Sequence, residues 1–246
     1  MNGTTHQFVA NLALACLNIE ERHILYPRWG GIESGSTMSD EFRIMWEPES
    51  IDQKTKQRVH RYYVDSTNPK DHGGVTRAWD HASGSVSFIK DYLNDKDRSG
   101  YSEDEFLENL GMFLGITSHH IADLCTPVHV GHKIDYSKIS QKNKTSLHRR
   151  VERDIDQFSR KIHIKLLRPK EVNLSKGFFK HIALETYHTT FLKLEIIYSS
   201  SSTITDIENM VSQVISNSVQ CTVNVWHSIL SSSGMLNRRW SYQPLL

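Results

Sequence analysis

Apolar residues recur along this chain at helical spacing. In residues 6–19 (HQFVANLALACLNI), Phe8, Leu12, Ala15 and Ile19 fall on one stripe, which predicts an amphipathic helix. Residues 76–93 repeat the pattern through Trp79, Phe88 and Leu93. A third helix is expected from about 103 to 125, because Ser102 followed three residues later by Glu105 makes a capping box; Pro127 then stops it. Residues 145–166 carry Leu147, Val151, Ile155 and Phe158 as a helical stripe, and 174–199 and 204–230 read as two more long helices around a short SSSST linker at 199–203. Residues 31–75 read as loop, punctuated by Gly31, Gly35, Pro48, Pro69, Gly73 and Gly74. Few alternating runs are long enough for a sheet, and no internal repeat stands out. The expected fold class is all-α: a multi-helix bundle with long loops, six or seven helices on one core, and 1–246 forming a single domain.

The 246 residues suffice for one domain with a sizeable core, and a net charge of +1 gives no argument for an obligatory polyanionic partner. No run of 18 or more apolar residues suggests a transmembrane helix. Cys16, Cys125 and Cys221 each sit in an apolar helix-like stretch and are expected to be buried free thiols. DKDRSGYSEDEF at 95–106 has the start of a calcium loop but Phe106 where the twelfth-position Glu belongs, and reads as an acidic turn and helix cap.

Histidine changes the picture: there are 14, and several fall at ligand spacing. In FLGITSHHIADLCTPVHVGH, His119 and Asp123 lie four apart and share a helix face, where two ligands one turn apart can bind one metal with little added ordering cost. Asp123 has two oxygens with which to bridge two metals. Pro127 ends that helix, and His129 follows on a constrained turn. In SLHRRVERDID, His148 and Glu152 repeat the four-residue spacing beside an apolar stripe. Mixed imidazole and carboxylate ligands suit zinc, at about 2.0 to 2.2 Å. His120 and His132 neighbour these residues and are expected near the site or at the surface, not as ligands.

HxxxD, PxH and HxxxE follow one another here, preceded by His6 in TTHQFVA, Asp40 in GIESGSTMSD and His60 in VHRYYVDS. In that order the chain resembles the zinc-dependent bacterial phospholipases C and the related single-strand-specific nucleases of fungi and plants. The resemblance covers residues 1–152 and implies up to three zinc ions. Asp40, His60, His119 and Asp123 would hold one. His6, the amino nitrogen and carbonyl of Met1, and Asp123 would hold a second, with Asp123 as the bridge. His129, His148 and Glu152 would hold the third. The implied chemistry is hydrolysis of a phosphodiester by a metal-activated hydroxide, with the pKa of a bridging water lowered from about 15.7 towards about 7. Asp40 would also be catalytic, orienting the attacking water.

Departures from the family pattern bear on the substrate and the start of the chain. The choline-specific phospholipases have an aromatic just after the loop Asp and another three residues before the next His; here Glu41 and Gln57 stand there, so an aromatic cage for a quaternary ammonium has no support at those positions. The nucleases carry a stacking aromatic after that His, where this chain has Arg61, read as a solvated loop residue or a phosphate grip. Glu152 is the lipase-like choice in the final pair. The expected substrate is therefore a phospholipid or other phosphodiester, met by transient contact with a membrane surface. The alternatives are a single-strand nuclease or nucleotidase with the same metals, for which nucleic acid is a substrate only, and a non-catalytic zinc-stabilised binding domain. Relatives begin with Trp exposed by cleavage; here Met1 stands five residues before His6, and Asn2 is expected to keep it in place. The absence of a leader favours a cytoplasmic location, and the resemblance favours export after a leader is removed.

Overall fold

The computed structural model describes residues 3–41, 64, 78–94, 101–131, 133–135, 137–139, 147–162, 164 and 168–237; of residues 38–41, 78 and 80 only the helical backbone is described. Helices account for its regular structure, and no strand occurs among the described residues. In chain order they are α1 (Gly3–Cys16), α2 (Ile19–Leu25), α3 (Trp29–Glu41), α4 (Ala78–Asn94), α5 (Glu103–Leu124), α6 (Pro127–Val130), α7 (Leu147–Phe158), α8 (Lys176–Thr189), α9 (Leu194–Ile197) and α10 (Ile204–Ser232). Short 3-10 turns at Tyr26–Arg28, Ser159–Lys161, Phe191–Lys193 and Met235–Asn237 join or finish them. The all-α expectation is met.

The centre of the bundle is α5. Its first turn is fixed as the sequence predicts: Ser102 Oγ accepts from the Glu105 amide, and the Glu105 carboxylate accepts from the Ser102 amide at 2.8 Å. Every residue of the helix from Phe113 to Leu124 is buried, the polar Thr117, Ser118, His119, His120 and Asp123 included, so the helix is surrounded by protein there. α10 packs against it. Trp226 is fully buried, and its indole N–H donates to the Leu114 carbonyl at 3.1 Å. Thr203 and Asp206 cap the start of α10 in the same reciprocal way as Ser102 and Glu105 cap α5.

Several boundaries differ from the sequence reading, each for a local reason. The first expected helix breaks after Cys16, and Asn18 caps a second one, its amide donating to Glu21 at 2.8 Å. Residues 29–41 form α3 where loop was expected. The reason is the two glycines taken as breakers. A Cβ on Gly35 would lie 2.0 Å from the Met112 carbonyl oxygen, and one on Gly31 would lie 2.9 Å from that of Glu108. From the other side, a Cβ on Gly115 would lie 2.2 Å from the Ile32 carbonyl oxygen, and one on Gly111 would lie 3.0 Å from that of Arg28. Each helix thus presents two glycines one turn apart, and their backbones cross in contact. Tertiary packing overrides the low helix propensity of glycine. The expected segments 145–166 and 174–199 are likewise shorter helices interrupted by 3-10 turns. The calcium-like loop falls mostly on 95–100, outside the described residues.

Cys16, Cys125 and Cys221 are all free, as expected; Cys16 and Cys125 are buried and Cys221 is only half-buried. No described helix is long and apolar enough to cross a membrane.

Candidate metal centre

Histidines from three helices meet on one carboxylate. Asp123, in the last turn of α5, is 1% exposed. Its Oδ1 lies 3.6 Å from His6 Nε2 on α1 and 3.1 Å from His129 Nδ1 on α6, and its Oδ2 lies 3.4 Å from His119 Nε2 one turn earlier on α5. The His6 and His119 rings stack with centroids 3.8 Å apart and planes 17° from parallel. His129 reaches the other way as well. Its Nε2 lies 3.1 Å from Glu152 Oε1, which is itself 3.3 Å from His148 Nε2. His129 and His148 stack at 5.1 Å. Two groups result, each with ligand atoms within 4.8 Å of one another: His6, His119 and Asp123, all buried, and His129, His148 and Glu152, at the edge of the core.

Local sequence explains the placement. On α1 the buried face carries Val9, Ala10, Ala13 and Leu14, and His6 continues it at the N-terminal end. On α7 the stripe Leu147, Val151, Ile155 and Phe158 is buried, and His148 and Glu152 border it, half-buried. Pro127 begins a one-turn helix, in a position where its missing N–H costs nothing, rather than the plain turn expected. That turn carries His129 back over Asp123.

The orientation of His119 has its own support. Its Nδ1 lies 2.9 Å from the Ser36 carbonyl oxygen on α3, which makes Nδ1 the donor and points the lone pair of Nε2 at Asp123. Only the close α3–α5 crossing brings that carbonyl so near.

Burial pushes His6 well below the ordinary histidine range, and the neighbouring His119 adds to the fall. Burial would raise Asp123, but His129 and His119 outweigh it, so the carboxyl titrates well below the usual carboxylate range. Burial works downward on His129 too, and the charge of Asp123 more than reverses it, so His129 is raised. Glu152 is lowered against its partial burial by His129 and His148. The ionised carboxylates and the neutral His6 are in the states that a cation needs, whereas His129 would give up its proton on binding one.

Whether the residues suit zinc is tested by His6, which is 1% exposed with no hydrogen-bond partner among the described residues for either ring nitrogen. A buried imidazole without a hydrogen bond is costly unless something binds it. A divalent cation between His6, His119 and Asp123 fits that need and the nitrogen–oxygen donor set.

Of the residues singled out from the sequence, the structure thus gathers His6, His119, Asp123, His129, His148 and Glu152. Asp40 lies in the last turn of α3, not in a loop, and its side chain is outside the described residues; Met1, Gln57, His60, Arg61 and His132 are outside them too. His120 is buried, edge-on to His119 at 5.9 Å and stacked with His81 at 6.1 Å, and belongs to neither ligand group. The sequence reading missed the Ser36 carbonyl and the hydrogen bond from Thr5 Oγ1 to Asp156, 2.5 Å long, which ties α1 to α7 beside His6. The spacing of Gly31 with Gly35, and of Gly111 with Gly115, was the available signal for the first.

No family model matches the sequence, and no curated protein matches it. Solved structures do match. The alpha toxin of Clostridium absonum superposes with a TM-score of 0.61 at 17% identity, over 93% of this chain and 63% of the toxin. The alpha-toxin of an avian strain of Clostridium perfringens gives 0.60 at 15% identity, over 93% of this chain and 64% of the toxin. The chain therefore spans somewhat less than two thirds of each toxin's length. The resemblance read from the motifs is borne out in the architecture: this chain has the fold of the part of the clostridial alpha-toxins that it covers.

Proposed function

We propose that the chain is a zinc-dependent phosphoesterase that hydrolyses a phosphodiester, a phospholipid before other substrates, in the manner of a phospholipase C. One observation carries this reading: two nitrogen–carboxylate clusters share a wall through His129, whose two ring nitrogens face Asp123 and Glu152 at 3.1 Å each. Adjoining cation sites of this kind suit a reaction in which an attacking oxygen, the phosphoryl oxygens and a leaving oxygen all carry charge. The motif order and the fold shared with the alpha-toxins agree with it.

Zinc held by these residues would lower the pKa of a water to about 7 and neutralise charge on the phosphoryl oxygens. The chain's own residues do the rest. Asp123 presents one oxygen towards His6 and the other towards His119, as a bridging carboxylate must. The Ser36 carbonyl fixes the His119 tautomer. The apolar walls of α1 and α5 exclude water from the inner cluster, whereas the outer cluster is reached from solvent through half-buried His148 and Glu152. Asp40, His60 and Met1 complete the proposed ligand set, and Asp40 orients the attacking water. Asp40→Asn with full zinc content and full turnover would remove that role.

The test is a substrate panel with the zinc-loaded chain: phosphatidylcholine, anionic phospholipids, single-stranded DNA and mononucleotides. Zinc-dependent release of a phosphorylated head group supports the reading. Turnover confined to nucleic acid or mononucleotides would replace it with the nuclease reading, and zinc uptake without any turnover would leave a metal-stabilised binding domain.

A further inference from the structure

On the phosphoesterase reading the metal centre takes the scissile phosphoryl group, and the surface beside it takes what lies beyond. An open groove of about 520 Å³ runs along the outer face of α7, lined by Arg149, Glu152, Arg153, Asp156 and Gln157. Glu152 belongs both to this groove and to the cluster with His129 and His148, so the groove opens beside the centre.

Its charges are unequally engaged. Glu152 faces two imidazoles, and Asp156 accepts from the Thr5 hydroxyl at 2.5 Å. Arg150, the arginine between the two in the groove, is held by buried Asp154 at 2.9 Å. Arg149 and Arg153 are exposed, one helical turn apart, and in no ion pair with a described residue. Arg149 and Arg153 are therefore the cations of the groove that no described residue holds in an ion pair, with Asp156 keeping its charge beside them, and their planar forks suit the oxygens of one phosphate. Among the described residues no aromatic side chain lines the groove, so these residues offer neither a cage for a quaternary ammonium nor a plane on which a base could stack.

We propose that this groove is a subsite for a second phosphate on the substrate's head group, held by Arg149 and Arg153 while the scissile phosphodiester lies on the metal centre. The preferred substrate is then a phospholipid with a phosphorylated head group. This inference rests on the phosphoesterase reading above and names its substrate class. A nucleic acid also offers a second phosphate, but its bases would find no stacking surface among the described residues of the groove.

Two ligands that differ by one phosphate provide the test. With the zinc-loaded full chain, calorimetry should show inositol 1,4-bisphosphate binding about tenfold more tightly than inositol 1-phosphate, the scale of a charge-assisted contact. R149Q/R153Q should erase that difference while keeping the helical circular dichroism. In turnover, phosphatidylinositol 4-phosphate should exceed phosphatidylinositol in kcat/KM by about the same factor, chiefly through KM, and the double variant should bring the two together. Equal affinity for the two inositol phosphates, or a difference that survives in R149Q/R153Q, overturns the subsite. An affinity difference without cleavage of any lipid upholds the subsite and overturns the phosphoesterase reading instead. Arginine-dependent cleavage of a single-stranded oligonucleotide in preference to both lipids overturns the assignment to a lipid head group.

Discussion

His129 Nδ1 stands 3.1 Å from Asp123 Oδ1, so an imidazole on a one-turn helix closes the gap between the end of α5 and the outer histidine cluster. The two carboxylates of the described clusters, Asp123 and Glu152, are linked through this one ring. Removing either should have separable consequences.

Glu152→Gln takes the charge from the outer cluster and leaves His6, His119 and Asp123 in place. The expected result is the loss of about one zinc per chain, with the remaining metal held as before, because a carboxylate ligand has been replaced by a neutral amide. Asp123→Asn should cost more, since Asp123 faces both His6 and His119. Native mass spectrometry of the two variants checks the order.

Gly35→Ala should lower stability by about 1–3 kcal/mol, the usual cost of overpacking, because its Cβ would fall 2.0 Å from the Met112 carbonyl oxygen. It should also weaken zinc binding about 10–100-fold, as other lost supports of a ligating histidine do, by moving the Ser36 carbonyl off His119 Nδ1. Gly84→Ala, in the exposed part of α4 with nothing within 4 Å of the added Cβ, should instead stabilise by about 1 kcal/mol or a little less. Thermal denaturation and zinc titration of the pair separate packing from propensity.

Without metal, stability should depend on pH in a direction set by the buried ligands. His6 is lowered in the fold, so the unfolded chain binds a proton that the folded chain refuses; stability should fall as pH drops below about 6.5. Asp123 and Glu152 are lowered too, and their contribution is lost as pH falls further, from about 4 downward through their folded values. His129 is raised, so its contribution is complete below about 6.5 and lost as pH rises through its folded value. The melting temperature in chelator should therefore peak near neutrality. A melting temperature that rises between pH 6.5 and 5 would contradict these assignments.

The helices that the sequence announced were those with a one-sided stripe or a local cap. Ser102 and Glu105 marked the start of α5, and Leu147, Val151, Ile155 and Phe158 marked the buried face of α7. The helix it concealed was α3, because Gly31 and Gly35 act through a neighbour: their lack of a side chain matters only once Gly111 and Gly115 lie against them. The same distinction runs through the site. His119 with Asp123, and His148 with Glu152, are visible as four-residue spacings. That His129 serves both carboxylates, and that the Ser36 carbonyl steers His119, follows from helix crossings that no local spacing encodes.

Zinc binding by these clusters is open to direct measurement: native mass spectrometry of the gently purified full chain counts the ions. At least two zinc ions per chain are expected, one for each described cluster, removed by chelation and restored by added zinc. A chain that carries less than one zinc and takes up none when zinc is supplied would contradict that expectation.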